Sequence, residues 1–168
     1  MNFGTDLRVT RHIRVALALS AAFLALAPAA TAGGQATTQP QSEQALLGAV
    51  NGVRASHGLR TLRVDSALVR AARSYSAQMI RTGVFAHGAM GVRLAQHGVR
   101  GPMFGENLAW GVGSRASAAA IVRGWMASPG HRANLLRPGW NRIGLGALRG
   151  TFQGHRGATV VTADFAGR

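Results

Sequence analysis

The segment RIGLGALRGTFQGHRGATVVTADF, residues 142–165, decides the fold class because its hydrophobic period becomes that of β-strands. Residues 142–148 and 158–165 each predict a strand, and the nine residues between them predict the connection of an antiparallel hairpin. In the second strand Thr162 and Asp164 share the face opposite to the apolar residues, since side chains alternate along a strand.

The residues before this hairpin follow helical spacing. Helices are predicted over residues 43–56, 66–82 and 118–126. Ser42 is the expected cap of the first helix, and Asp65 or Ser66 the expected cap of the second. Helices followed by strands predict an α+β domain with a sheet covered by helices.

Loops and short helical turns fill the remaining stretches. Residues 92–96 and 131–136 predict short helical turns, whereas 84–89 and 98–105 predict loops. Residues 107–110 are ambiguous between helix and strand. Trp110, Trp125 and Trp140 are expected in the core, whereas His57, His97 and His155 are expected at the surface. The pair Gly144 and Gly146 shares one strand face and predicts a close approach of backbone or helix.

The first 32 residues predict a secretory signal peptide. Arg8, Arg11 and Arg14 precede an uncharged apolar run, residues 15–27, and Ala30-Thr31-Ala32 fits a cleavage site. The expected organisation is a signal peptide at 1–32, a flexible leader at 33–42 and one folded domain at 43–168. We therefore expect a secreted or periplasmic protein.

The composition limits the chemistry that the chain can perform. All 19 cationic residues are Arg and there are 5 acidic residues, which gives a formal net charge of +14. The Arg residues are spread along the chain, so we expect weak attraction to anionic surfaces and no specific nucleic-acid binding. The absence of Cys excludes disulfides and Cys-ligated metal sites.

Three segments place a metal-binding or acid–base side chain beside Gly or Pro. They are Phe85-Ala86-His87-Gly88, Gly105-Glu106-Asn107 and Ser128-Pro129-Gly130-His131-Arg132. Imidazole and carboxylate are ligands that Zn²⁺ accepts, and neutral imidazole also serves as a general base. Their spacing leaves open whether the three segments converge, and no familiar catalytic motif is present.

These segments, taken in order with others, resemble the CAP superfamily, the SCP-domain family of cysteine-rich secretory, antigen 5 and pathogenesis-related proteins. The likeness is to its bacterial, cysteine-free members and covers about residues 43–166. The fragments that carry it are Asn51, Arg54, Gly58-Leu59, Leu62, Phe85-Ala86-His87, Gly105-Glu106-Asn107, WMASPGHRAN at 125–134, and Ile143-Gly144-Leu145-Gly146.

The resemblance implies a three-layer α-β-α sandwich with a small, mainly antiparallel sheet. It also implies a central cleft in which His87, Glu106 and His131 hold Zn²⁺ or another divalent cation. Asn107, Ser128 and Arg132 are the expected neighbours of this cleft. The family's fourth position, a Glu shortly after the Trp of the third helix, has no counterpart, because Trp125 is followed by Met, Ala and Ser.

Three functions stay open. The favoured one is a monomeric protein that binds a lipid, a sterol or another small ligand, or that interacts at the cell surface, rather than an enzyme. The second is a metal-assisted hydrolase acting on peptide or cell-envelope substrates. The third is a structural module that binds anionic polymers. A purely structural role, in which His87, Glu106 and His131 pin three loops by hydrogen bonds, competes with all of them.

Overall fold

The structure, a computed structural model, describes residues 40–167, so the predicted signal peptide and residues 33–39 of the predicted leader lie outside the described residues. The elements are α1 (Gln41–Ser56), β1 (Arg63–Val64), α2 (Ser66–Thr82), α3 (Met90–Gln96), β2 (Met103–Gly111), a 3₁₀ turn (Gly113–Ala116), α4 (Ala118–Ala127), α5 (Pro129–Leu135), β3 (Trp140–Phe152) and β4 (His155–Gly167).

The four strands form one sheet in the order β1-β3-β4-β2. The short β1 pairs in parallel with β3, whereas the β3–β4 and β4–β2 pairs are antiparallel. The register places Glu106 of β2 directly opposite Asp164 of β4. This pairing brings an acidic residue near the C-terminus beside the predicted site.

Helices cover both faces of the sheet. On one face, α1 and α4 pack on alternate sheet residues such as Val161, Ala163 and Phe165. On the other face, α2 lies so close to β3 that a Cβ at Gly144 would overlap the backbone of Leu68. The chain is thus an α+β, three-layer α-β-α sandwich with a mainly antiparallel sheet, and the predicted close approach at the glycine pair is confirmed.

The predicted strand boundaries were wrong in two places. β3 and β4 are longer than predicted and meet at a two-residue turn, Gln153-Gly154, in which both residues have positive φ. Such a turn matches the twist of the strands and extends their pairing. Residues 103–111, predicted as loop and ambiguous segment, form β2, because β4 supplies a partner along its whole length.

The predicted helices and short helical turns are present, but α1, α3 and α5 each begin two residues before the predicted start. Asp65 caps α2 by accepting hydrogen bonds from the amides of Ala67 and Leu68. α1 begins at Gln41 without a side-chain cap, so Ser42 lies inside the helix and not at its cap. Within residues 40–167, none of the helices has the length and apolar character needed to cross a membrane.

The predicted Trp and His environments are largely confirmed. Trp125 and Trp140 are buried, and their indole N–H groups donate to the carbonyls of Leu108 and Asn134. Trp110 is only half-buried. Of the three His expected at the surface, His57 and His155 are exposed and His97 is half-buried.

Candidate functional site

A cleft of about 320 Å³ lies between β2, the loop before α3, and α5. It contains His87, Glu106 and His131, together with the expected neighbours Asn107 and Ser128. The residues that complete its lining are Gly130, Ala133, Asn134 and Arg137. Arg132, the remaining expected neighbour, lies on α5 but does not line the cleft, and Arg137 supplies the guanidinium there instead.

His87 is bound on one side and open on the other. Its Nδ1 donates to Oε1 of Glu106 over 2.8 Å, while 59% of its side chain is exposed. Within the described residues, Nε2 has no hydrogen-bond partner. A carboxylate at Nδ1 favours the tautomer whose lone pair is on Nε2, so this nitrogen is available to a proton or a metal ion.

Tyr75 of α2 holds the loop that carries His87. Its hydroxyl donates to the carbonyl of Ala86 and accepts from the amide of Gly88. A Cβ at position 88 would lie 2.7 Å from the Tyr75 hydroxyl, so Gly88 permits this contact. Burial raises the pKa of Tyr75, which keeps the phenol protonated and able to donate.

Glu106 is buried and accepts hydrogen bonds from His87 and Arg93. Its side chain is 2% exposed, and its Oε2 accepts from Nη2 of Arg93 on α3. The same Nη2 donates to Oδ1 of Asp164 over 2.9 Å, and Asp164 is fully buried. The Arg93 guanidinium lies 3.9 Å from the centre of the Tyr75 ring. One guanidinium therefore serves two carboxyl groups beneath the cleft.

Because Arg93 is shared with Glu106, the ionised form of Asp164 is only partly stabilised. Burial raises its pKa to about 7, the charge of Glu106 adds to the rise, and Arg93 opposes it. Its Oδ2 is buried without a hydrogen-bond partner within residues 40–167. Asp164 therefore changes protonation near neutral pH directly beneath the predicted site.

His131 faces His87 across the cleft. The two ring centres are 6.4 Å apart. Burial, followed by the charge of His87, lowers the pKa of His131, so its imidazole is neutral at neutral pH. Asn107 donates to the carbonyl of His131 and accepts from the side chain of Asn134, which fixes α5 on β2. Asn107 thus bonds the backbone of α5.

The predicted three-ligand metal set is not assembled in the described residues. No group of three His, Asp or Glu side chains between residues 40 and 167 is arranged to hold a metal ion. The reason is that both oxygens of Glu106 already accept hydrogen bonds, from His87 and Arg93. The donors that remain are the two imidazoles, with Glu106 behind one of them.

The two imidazoles fit a shared cation after a small adjustment. Zn–N distances of about 2.1 Å place two rings on one tetrahedral zinc with centres about 5 Å apart. The separation of 6.4 Å is wider, so a shared zinc requires the exposed ring of His87 to tilt toward His131 while its Nδ1 keeps the hydrogen bond to Glu106. A metal-binding His whose second nitrogen bonds a carboxylate is a common arrangement. The donor chemistry therefore fits a two-His site completed by water.

The buried groups behind the cleft were not predicted as site residues. In the sequence, Tyr75 belongs to the apolar stripe of a predicted helix, and Arg93 lies in a predicted short helical turn. Asp164 lies near the C-terminus, far along the sequence from the three segments of the predicted site. The sequence did place Asp164 on the polar face of the last strand. Its proximity to Glu106, however, follows only from the β2–β4 register, which the sequence did not predict.

The comparisons with known proteins give the family. Residues 47–165 match the family model described as CAP, the cysteine-rich secretory protein family. The chain belongs to the CAP family. It is 31% identical over 119 residues to the protein YkwD of Bacillus subtilis (strain 168), covering 66% of this chain and 45% of that protein. It is 32% identical over 116 residues to the membrane protein YlbC of the same organism, covering 66% of this chain and 33% of that protein.

Solved CAP structures share the fold. An extracellular protein with an SCP domain from Bacillus anthracis superposes with a TM-score of 0.64 at 27% identity, over 74% of this chain and 40% of that chain. An outer surface protein of Borrelia burgdorferi gives a TM-score of 0.64 at 19% identity, over 78% of this chain and 96% of that chain, which shows the fold alone. The chain spans less than half the length of the two Bacillus subtilis relatives.

Proposed function

We propose that this CAP domain is an exported binding protein whose cleft holds a divalent cation between His87 and His131 and presents it to a small polar ligand. The observation that carries the proposal is the His87–Glu106 hydrogen bond, which leaves Nε2 of His87 free opposite a second imidazole. The comparisons support the fold and the family, and the ligand is inferred from the cleft itself.

Each residue of the cleft has a distinct role in this proposal. Glu106 orients His87 through Nδ1, and Arg93 holds the other carboxylate oxygen of Glu106 by a hydrogen bond to Oε2. His131 offers a neutral imidazole because burial lowers its pKa. When bound, the cation supplies an electrophilic position that a ligand oxygen can occupy.

The lining supports a polar ligand over a lipid. Most residues around the cleft are polar or small, and its volume of about 320 Å³ lies at the lower end of small-molecule sites. The lipid or sterol ligand implied by the family resemblance stays a prediction. Export is proposed from the signal-peptide pattern, and it agrees with the extracellular and outer-surface descriptions of the two structural neighbours.

Hydrolysis is a second candidate that one observation favours. A His whose Nδ1 donates to a buried carboxylate has the form of a general base, and Ser128 lines the same cleft. This candidate predicts turnover of a peptide or cell-envelope substrate that His87→Ala abolishes and Arg132→Ala leaves unchanged. Absence of turnover across peptide and glycan substrates would remove it.

Calorimetric titration of the protein with Zn²⁺ tests the binding proposal. The expected result is one-to-one binding that is lost in His87→Ala/His131→Ala. The matched control is His57→Ala/His155→Ala, which removes two exposed imidazoles away from the cleft and should retain the affinity. Equal loss of binding in both double variants would refute a specific site at His87 and His131.

A further inference from the structure

A second cleft of the described residues lies away from the two imidazoles. Its volume is about 770 Å³, and it opens along the β1 edge of the sheet, where β1 pairs with the start of β3. It shares no lining residue with the His cleft. Three of its lining residues are Arg60, Arg63 and Arg142, and we name it the arginine cleft after them.

Two of these guanidinium groups are free to bind a ligand. Arg60 and Arg63 are exposed, and neither side chain has a hydrogen bond or ion pair within residues 40–167. Arg142 is held in place, because it donates to Oδ2 of Asp65 and to the carbonyl of Arg100, each over 2.7 Å. Asp65 is a single carboxylate that pairs with Arg142 through Oδ2 and caps α2 through Oδ1. It therefore neutralises only one of the three positive charges.

A fourth Arg adds positive charge behind the cleft. Arg54 is fully buried and donates to three backbone carbonyls, those of Arg60, Leu135 and Arg137. Its Nη2 has no partner, and no carboxylate pairs with it within residues 40–167. Arg60 lines the cleft, and Arg137 precedes the lining residue Pro138. A buried cation without a counter-ion is costly, so the site gains from an anion bound nearby.

We propose that the arginine cleft binds a ligand that carries several phosphate groups. Guanidinium groups bind phosphate oxygens through paired, charge-assisted hydrogen bonds, and a phosphate has enough oxygens to bridge two guanidinium groups. The volume of about 770 Å³ holds more than one such group. Because several Arg side chains line the cleft, we expect a polyvalent anion to bind more tightly than a single small anion.

Calorimetric titration of the full protein with inorganic tripolyphosphate, at physiological ionic strength, tests this proposal. Arg60→Ala/Arg63→Ala should weaken binding by about tenfold or more, since a charge-assisted hydrogen bond is worth roughly 1.5 kcal/mol or more. Arg70→Ala/Arg81→Ala is the matched control, because it also removes two exposed Arg residues that form no ion pair within residues 40–167, but on α2. Arg60→Gln/Arg63→Gln, which keeps side-chain length, gives a second test if the first variant folds poorly.

The outcomes separate a site from general charge attraction. Weakening confined to the Arg60/Arg63 variants supports the arginine cleft. Equal weakening in the Arg70/Arg81 control, or no binding by the unchanged protein, overturns it. Retained tripolyphosphate binding in His87→Ala/His131→Ala is also expected, so this proposal and the proposed function fail separately.

The same variants identify the source of the phosphate. Vesicles of phosphatidylcholine containing cardiolipin present two phosphates in one lipid headgroup, whereas tripolyphosphate presents three in a soluble chain. Vesicle binding that Arg60→Ala/Arg63→Ala removes assigns the cleft to headgroups. Tripolyphosphate binding without vesicle binding assigns it to soluble or polymeric phosphate. Orthophosphate should bind more weakly than tripolyphosphate in either case.

Discussion

Replacing Asp164 with Asn should raise the stability of the protein at pH 8 and remove most of its decline between pH 5 and pH 8. The side chain is fully buried, its Oδ2 has no partner within residues 40–167, and it shares Arg93 with Glu106. Asn keeps an oxygen that can accept from Arg93 but cannot ionise. The substitution leaves one guanidinium for one carboxylate.

The size and sign of the effect follow from the pKa of Asp164, which burial raises from 3.8 to about 7 in the folded protein. A raised folded pKa stabilises the folded state fully below the unfolded pKa, and this contribution is lost as the pH rises through the folded value. Each pH unit of this window is worth about 1.4 kcal/mol. The unchanged protein should therefore lose about 2.5 kcal/mol from this group between pH 5 and pH 8.

Urea denaturation of both proteins, followed by Trp fluorescence at several pH values, measures the effect. His131 titrates in the same window with the opposite sign, because its folded pKa is lowered, so its contribution rises with pH. That contribution is common to both proteins and cancels in their difference. If the Asn variant shows the same pH dependence as the unchanged protein, the assignment of this titration to Asp164 is refuted.

Three further substitutions test other contacts by urea denaturation. Arg93→Met should destabilise the protein by about 3–5 kcal/mol, because it leaves two buried carboxyl groups without a cation; a cost near zero would show that the charges are not coupled. Tyr75→Phe should cost about 1 kcal/mol and weaken Zn²⁺ binding, since the loop carrying the first His loses two hydrogen bonds; unchanged affinity would contradict this. Gly144→Ala should lower the free energy of unfolding by about 1–3 kcal/mol, because the added Cβ would overlap Leu68. Gly124→Ala, with open space around it on α4, should be neutral or stabilising. Equal effects of the two substitutions would refute the close approach of α2 to β3.

The sequence predicted the parts of the fold that depend on local pattern. Asp65 sets the start of α2, and the spacing of apolar residues sets its buried face. The period of residues 142–165 predicted the hairpin, but not its tight turn at Gln153-Gly154, because β3 and β4 stay paired beyond the apolar stretches that the period marks. β2 escaped prediction because its boundaries depend on pairing with β4 and not on its own alternation.

The residues of the candidate site also divide into those that the sequence predicted and those that it did not. His87, Glu106 and His131 stand in Gly- or Pro-marked loops or at element ends, and their family pattern marks them in the sequence. Arg93 and Asp164 lie behind these residues. Asp164 is next to Glu106 because of the β2–β4 register, and Arg93 reaches both carboxyl groups because of the position of α3. Such long-range contacts leave no spacing signal in a single sequence.

The most direct test of the binding proposal is a long-range ¹H–¹⁵N spectrum of the histidine side chains, recorded before and after one equivalent of Zn²⁺. We expect the His87 signals before zinc to show the proton on Nδ1, as the bond to Glu106 requires. Zinc should then shift His87 and His131 together and leave His57, His97 and His155 unchanged. Shifts spread over these five imidazoles alike, or none at His87 and His131, would contradict a shared site.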